Sequence, residues 1–312
     1  MQEQEKLKIL KDILGDSYTK SNETLFYCPN CNHHKKKLSV NISKNVFKCW
    51  VCDWSGKNIY RIIRRYGTSS QRYQWKSFTT ELEIENFNNK LFNQDVVATS
   101  NEINLPKEFI TLSSKNLCST SIRPINYLKS RGLTNNDIVK WKIGYCTTGD
   151  YAGRVVIPSF DAEGNLNYFV ARSYDRDWKK YSNPNISKNI IFNHPYVDFD
   201  EDVILVEGVF DAIKAGDNSV PLLGSTMSEN SHLFHEIVKN DTPIYLALDP
   251  DAPKKTDKLI NLLLKYDIET YLVNVDPFSD VGEMTHSQFL DRKLSATVLN
   301  PDNYLLSRIK GI

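Results

Sequence analysis

Residues 203–252 read VILVEGVFDAIKAGDNSVPLLGSTMSENSHLFHEIVKNDTPIYLALDPDA, and their rhythm decides the fold class. VILV (203–206), VPLLG (220–224) and IYLAL (244–248) are short continuous apolar runs. GVFDAIKAG (208–216) and SENSHLFHEIVKN (228–240) carry helical spacing between them. PKKTDKLINLLLKYD (253–267) and TYLVNV (270–275) continue the alternation. Strands without polar alternation are apolar on both faces, so the pattern predicts a mostly parallel sheet flanked by helices, an α/β fold. Pro253 suits the first position of the helix that follows.

Acidic residues fall at the carboxyl ends of these strands. Glu207 follows VILV, Asp249 and Asp251 follow IYLAL, and Asp280 and Glu283 come shortly after TYLVNV. Ligands of open parallel sheets bind at that end. Carboxylates converging there repel one another unless a cation lies between them, and hard oxygen donors favour Mg²⁺ or Mn²⁺. Such a cluster serves phosphoryl or nucleotidyl transfer. Strand ends are often acidic and Asp-Pro-Asp is a common turn, so it is the three sites in this order that carry weight. Asp211, one turn into the helix after Glu207, reads as a cap of that helix more than as a ligand. Asp276 competes with Asp280 for the third acidic position.

Toward the N-terminus, Cys28 and Cys31 form one C-x-x-C pair, and Cys49 and Cys52, after 17 intervening residues, form another. Two such knuckles predict a closed tetrahedral Zn²⁺ site of structural type. His33 and His34 adjoin the first knuckle and read as exposed polar residues, because four thiolates already fill the coordination shell. Tyr27, Phe47, Trp50 and Trp54 are interleaved with Lys35, Lys36, Lys37, Lys48, Arg61, Arg64 and Arg65. Aromatics among cations suit single-stranded DNA, whose bases stack and whose phosphates pair; Phe47 reads as core. Strands are expected at LSVNI and NVFKC, and helices over 3–14 and 59–67.

The 312-residue chain as a whole sets bounds. Net charge is only +1, so nucleic-acid contact has to come from local patches. No secretory h-region and no apolar run of about 18 residues occur, which predicts a reducing cytoplasmic setting with neither disulfide framework nor membrane span. Residues 68–104, rich in Ser, Thr, Asn and Gln, read as a linker with at most one helix near 80–92. Residues 105–150 read as mostly helical, and RVVIPSF-DAEGN-LNYFVARSY as a β-hairpin. The expected domains are therefore 1–67 (zinc-binding), 68–104 (linker), 105–200 (helical then basic β-rich), 201–285 (metal-binding sheet) and 286–312 (tail).

These motifs resemble a known family. LVEGVFDA with LALDPDA resembles the TOPRIM domain of bacterial-type primases, topoisomerases and some nucleases. FYCPNCNHHKKKLSVNISKNVFKCWVCDWSGKNIYRII resembles the zinc ribbon of bacterial and phage DNA primases, departing from the commoner pattern by Cys31 at the position of a His. YLKSRGLTNNDIVKWKIGY, GRVVIPSFDAEGNLNYFVARSY and KKYSNPNISKNIIFN resemble the primase core that precedes TOPRIM. The resemblance implies a basic ridge of Arg154, Arg172, Lys180 and Lys188 for nucleotide and template phosphates, and identifies SDVGEM with the third acidic motif. It implies primer synthesis on single-stranded DNA from NTPs, with Glu207, Asp249 and Asp251 catalytic and Glu207, Asp249, Asp251 and Asp280 on magnesium. Whether Glu207 binds metal or accepts the proton of the attacking hydroxyl stays open. No G-x-x-x-x-G-K-[ST] loop occurs, so a separate helicase is the expected partner, and a virus or mobile element the expected source. A TOPRIM nuclease and a non-catalytic DNA-binding adaptor are the rival readings.

Overall fold

The computed structural model describes residues 2–20, 22–78, 103–114, 117–175, 179–300 and 304. The chain divides into two compact units, Met1–Asp95 and Val96–Ile312.

Among the described residues, the first unit is a five-stranded antiparallel sheet in sequential order with three helices. Helix α1 (Gln2–Leu14) turns Ile9, Leu10 and Leu14 inward. Strands β1 (Tyr18–Lys20), β2 (Glu23–Phe26), β3 (Leu38–Asn41), β4 (Val46–Cys49) and β5 (Ser55–Gly56) follow, so both strands expected from LSVNI and NVFKC form. Register aligns Phe26 with Leu38 and Leu38 with Cys49, which sets the two knuckles side by side at one end of the sheet. Helix α2 (Tyr60–Tyr66) buries Ile62 and Ile63 completely. The stretch expected to begin a linker instead forms helix α3 (Ser69–Ser77), opened by a reciprocal Thr68–Gln71 capping box. Trp75 is its anchor, buried in the same core as Leu10, Phe26 and Ile63. One large aromatic outweighed the polar composition on which the linker reading rested. The helix expected near 80–92 lies outside the described residues.

Among the described residues, the second unit contains two sheets. Only two α-helices, α4 (Ile122–Ser130) and α5 (Asn135–Lys140), occupy the described part of 105–150. The rest includes strands β6 (Ile110–Thr111) and β7 (Gly144–Cys146), so the helical expectation was too broad. IGYC went to a strand because Tyr145 and Cys146 pair with β8 (Arg154–Phe160). The expected hairpin is present: β8 pairs antiparallel with β9 (Leu166–Ser173), and Asp161 accepts the Asn165 and Glu163 N–H groups in the turn, with Gly164 at φ +86°.

The α/β sheet has the order β11-β10-β12-β13-β14. Strands β10 (Val203–Val206), β11 (Ser219–Pro221), β12 (Ile244–Ala247) and β13 (Thr270–Leu272) are mutually parallel. They alternate with α6 (Val209–Ala215), α7 (His232–Asn240) and α8 (Pro253–Lys265) as expected. Strand β10, paired on both sides, splits its side chains between two cores. Ile204 and Val206 join Phe210 and Phe289 on one face, while Val203 and Leu205 join Phe234 and Leu263 on the other. The residues expected as a tail extend this fold: α9 (His286–Leu294) buries Phe289, and β14 (Thr297–Leu299) pairs antiparallel with β13. Three residues make too short a run to show strand periodicity by themselves. Among the described residues, no helix is long and apolar enough to cross a membrane.

Candidate zinc and metal centres

In the first unit, the Cys28–Cys31 turn leaves β2 and the Cys49–Cys52 turn leaves β4. Asn32 and Asp53 adopt left-handed φ values of 49° and 54° just after the knuckles, and the Asn32 N–H donates to the Cys28 carbonyl at 2.9 Å. The four Sγ atoms lie within 4.8 Å of one another, with Cys28–Cys52 at 3.8 Å and Cys31–Cys49 at 3.9 Å. A tetrahedron with metal–sulfur bonds of about 2.3 Å has edges of about 3.8 Å, so the donor set fits zinc. Burial pushes the Cys28 thiol up to about 12, a proton that a bound cation would displace. The His33 and His34 rings lie 4.4 Å apart, tilted by 32°, and stand outside the cluster.

Around this site Phe47 is buried and packs on Trp54 with ring centroids 4.7 Å apart. Trp50 is 65% exposed with the Lys48 ammonium 5.2 Å from its ring, and Tyr27 is 44% exposed with Lys36 at 5.2 Å. Arg61 and Arg64 are buried, against the expectation that they line an outward basic face. Their helix turns its second and fifth residues inward with Ile62 and Ile63 between them, a direction set by packing.

In the second unit, parallel strands deliver Glu207 and Asp249 to the same sheet end. Val206 pairs with Ala247, and each acid lies just beyond. Asp249 is half-buried; burial and then the charges of Asp211, Glu207, Asp280 and Asp251 push its carboxyl up to about 7. Asp211 is pushed up to about 6 by burial and by Asp280. These five acids thus share one electrostatic neighbourhood. Asp276 is exposed and is not among the charges acting on Asp249. Among the described residues, only the four cysteines close to within 4.8 Å as a set of three or more metal-ligating groups. The carboxylates are near enough to repel and more widely spaced.

Asp211 does what the sequence suggested and more. Its two oxygens accept the Gly208 N–H at 2.8 Å and the Gly282 N–H at 2.9 Å, tying the β10–α6 turn to the loop of the third acidic motif. A side chain on Gly282 would come within 2.9 Å of Asp211 Oδ1, which explains the glycine. Asp280 accepts the Glu283 N–H at 2.9 Å and caps the 3₁₀ turn Val281–Glu283. Glu207 has one oxygen, Oε2, at 2.7 Å from the Lys255 ammonium, while Oε1 is buried without a partner. A buried orphan oxygen beside crowded carboxylates fits a hard divalent cation.

The basic residues divide in two. Arg154 is buried, and its Nη1 donates to the Lys179 carbonyl at 2.9 Å, so it secures the segment that carries Lys180. Arg172 donates to the Tyr181 hydroxyl and stacks 5.4 Å from the Phe210 ring. Lys180 is exposed, and exposed Lys188 donates to the Leu223 carbonyl at 2.9 Å beside a cavity of about 350 Å³ lined by Asn189, Ser225 and Ser231. Sequence reasoning missed Arg131 and Lys255. The Arg131 guanidinium lies 5.1 Å over the same Phe210 ring as Arg172 and eases the carboxyls of Asp211 and Glu283. Nothing local in RGL marks it; the fold carries it to the acids.

No family model matches the sequence. The DNA primase of Mycoplasma genitalium is 22% identical over 321 aligned positions, covering 82% of this chain and 52% of that protein. The chain thus spans about half the length of the curated relative it matches. The Aquifex aeolicus primase structure, comprising zinc-binding and RNA polymerase domains, is 18% identical, covers 94% of this chain and 83% of its own, and has a TM-score of 0.49. A Pseudomonas aeruginosa DNA primase domain is 19% identical over 62% of this chain and 77% of its own, with a TM-score of 0.48. With TM-scores below 0.5, these two likenesses add no weight to the sequence relationship. The chain is thus similar in sequence to a DNA primase, and it combines a four-cysteine site with an acid-edged, mostly parallel sheet.

Proposed function

We propose that the chain synthesises short RNA primers on single-stranded DNA by metal-dependent nucleotidyl transfer. The observation that carries this reading is the electrostatics at Asp249, which burial and four neighbouring acids push up to about 7 at the carboxyl edge of a parallel sheet. Carboxylates so arranged call for a cation. Glu207, Asp249, Asp251 and Asp280 would hold Mg²⁺ or Mn²⁺, which when bound would neutralise phosphate charge and favour ionisation of the attacking ribose hydroxyl. Arg172 and Arg131, fixed on Phe210, and exposed Lys180 and Lys188 would bind and orient triphosphate and template phosphates. Asp211 holds the two acidic loops in register. Arg154 acts through the Lys179–Lys180 main chain. Trp50 and Tyr27, each with a lysine over its ring, would stack template bases. A separate helicase and a viral or mobile-element source belong to the same reading, and helicase stimulation of primer yield tests the first.

The test is incorporation of labelled NTPs on single-stranded templates covering all short initiation motifs, with zinc measured on the same sample. Wild type is expected to yield short oligoribonucleotides, and Asp249→Asn to keep fold and zinc while losing synthesis by on the order of a hundredfold or more. Template cleavage without ribonucleotide incorporation would instead mark a nuclease.

A further inference from the structure

Lys255 stands at a position where helix electrostatics disfavour it. It lies in the first turn of α8, which carries Lys254 and Lys255 and no acid. The N-terminal end of a helix is the positive end of its dipole, so a cation there needs compensation from outside the helix. Lys255 finds it across the sheet edge. Its ammonium is 2.7 Å from Glu207 Oε2, and the two side chains are only 17% and 19% exposed. Ion pairs on an open surface contribute little, whereas this one is largely screened from solvent and joins the end of β10 to the helix that follows the neighbouring strand β12. Helix α8 begins two residues after Asp251, so the loop bearing Asp249 and Asp251 leads directly into the turn that bears Lys255.

We propose that Lys255 is the chain's own counter-ion for Glu207 and competes with a divalent cation for that carboxylate, setting the affinity of the acidic centre for metal. This rests on the reading that Glu207 holds such a cation. A cation drawing on Glu207 meets a fixed positive charge on one oxygen and can use only Oε1 unless Lys255 gives way. The four-carbon lysine stem has the rotational freedom to withdraw, and its ammonium would find water or a substrate phosphate. The centre thereby keeps a moderate hold on metal, while its carboxylates retain one compensating charge.

The test titrates Mn²⁺ into the zinc-loaded full chain, reading free Mn²⁺ by electron paramagnetic resonance and, separately, the metal-induced rise in Tm. Lys255→Met keeps the stem and removes the charge. It is expected to bind Mn²⁺ roughly three- to tenfold more tightly than wild type, with a lower Tm in the absence of Mn²⁺ and a larger rise on adding it. Lys255→Arg keeps the charge and is expected to match wild type. Unchanged or weaker Mn²⁺ binding by Lys255→Met overturns the proposal; if that variant does not fold, Lys255→Gln is read by the same criterion. If wild type shows no Mn²⁺ binding that Glu207→Gln removes, the metal-centre reading itself falls. That outcome is distinct, because a failure confined to Lys255 leaves wild-type binding intact.

Discussion

The zinc site and the acidic centre use opposite constructions. The four thiols come from two four-residue turns at the end of one antiparallel sheet, and they close to within 4.8 Å. The acids come from three separate strand–loop junctions, and no three close to that distance among the described residues. One site is a staple whose donors are buried or half-buried for the most part. The other is an open set of like charges, partly offset by Lys255 and by the backbone N–H groups that Asp211 accepts. A structural metal is held by closure, and a site that exchanges ligands has to leave donors unsatisfied, as Glu207 Oε1 is.

The largest test of this contrast is Cys49→Ser. A structural zinc contributes folding free energy on the order of 10 kcal/mol, so the variant should lose the cooperative unfolding of the first unit, seen as loss of its amide protection in hydrogen exchange. Retained protection would show that the hydrophobic core around Leu10 and Ile63 suffices without the metal. Asp211→Asn should destabilise the second unit by about 1–3 kcal/mol, because an amide NH₂ would face one of two backbone N–H donors. Denaturant titration measures it, and an unchanged midpoint would show that the two bonds contribute little.

Trp50→Ala should weaken single-stranded DNA binding by about 1–3 kcal/mol, the range for one stacked base, with zinc content unchanged. Fluorescence anisotropy at fixed salt reads this, and equal affinity would remove Trp50 from the template face. The smallest expected effect is a pH signature. The Asp249 carboxyl is raised from 3.8 to about 7. Its contribution to stability is therefore fully present below about pH 4 and is lost as pH rises through about 7. In buffer without added divalent cations, Asp249→Asn should gain Tm relative to wild type between those limits, and added Mg²⁺ should narrow the gap. A gap independent of pH would mean that neither burial nor the neighbouring acids raise the Asp249 carboxyl.

How much of this was legible differs by region for physical reasons. Cys28, Cys31, Cys49 and Cys52 could be read because a knuckle is a local turn whose spacing is its geometry. The places of Glu207 and Asp249 just past strand ends could be read because parallel strands with continuous apolar cores announce their carboxyl ends. Helix α3 escaped because Trp75 alone supplies its burial, and β14 because three residues show no period. Arg61 and Arg64 were placed outward from charge, yet helix packing turned them in.

The order of side chains along the chain by itself determined the zinc ligands, the α/β alternation and the strand-end acids, since each depends on residues within a few positions of one another. Tertiary structure alone decided that Asp211 ties Gly208 to Gly282, that Arg131 and Arg172 share one phenylalanine ring, and that Lys255 faces Glu207. Those partners are separated by 71, 41 and 48 positions in sequence, respectively. Contacts at such range depend on which strands become neighbours, and that follows from burying two cores at once, which no local pattern encodes.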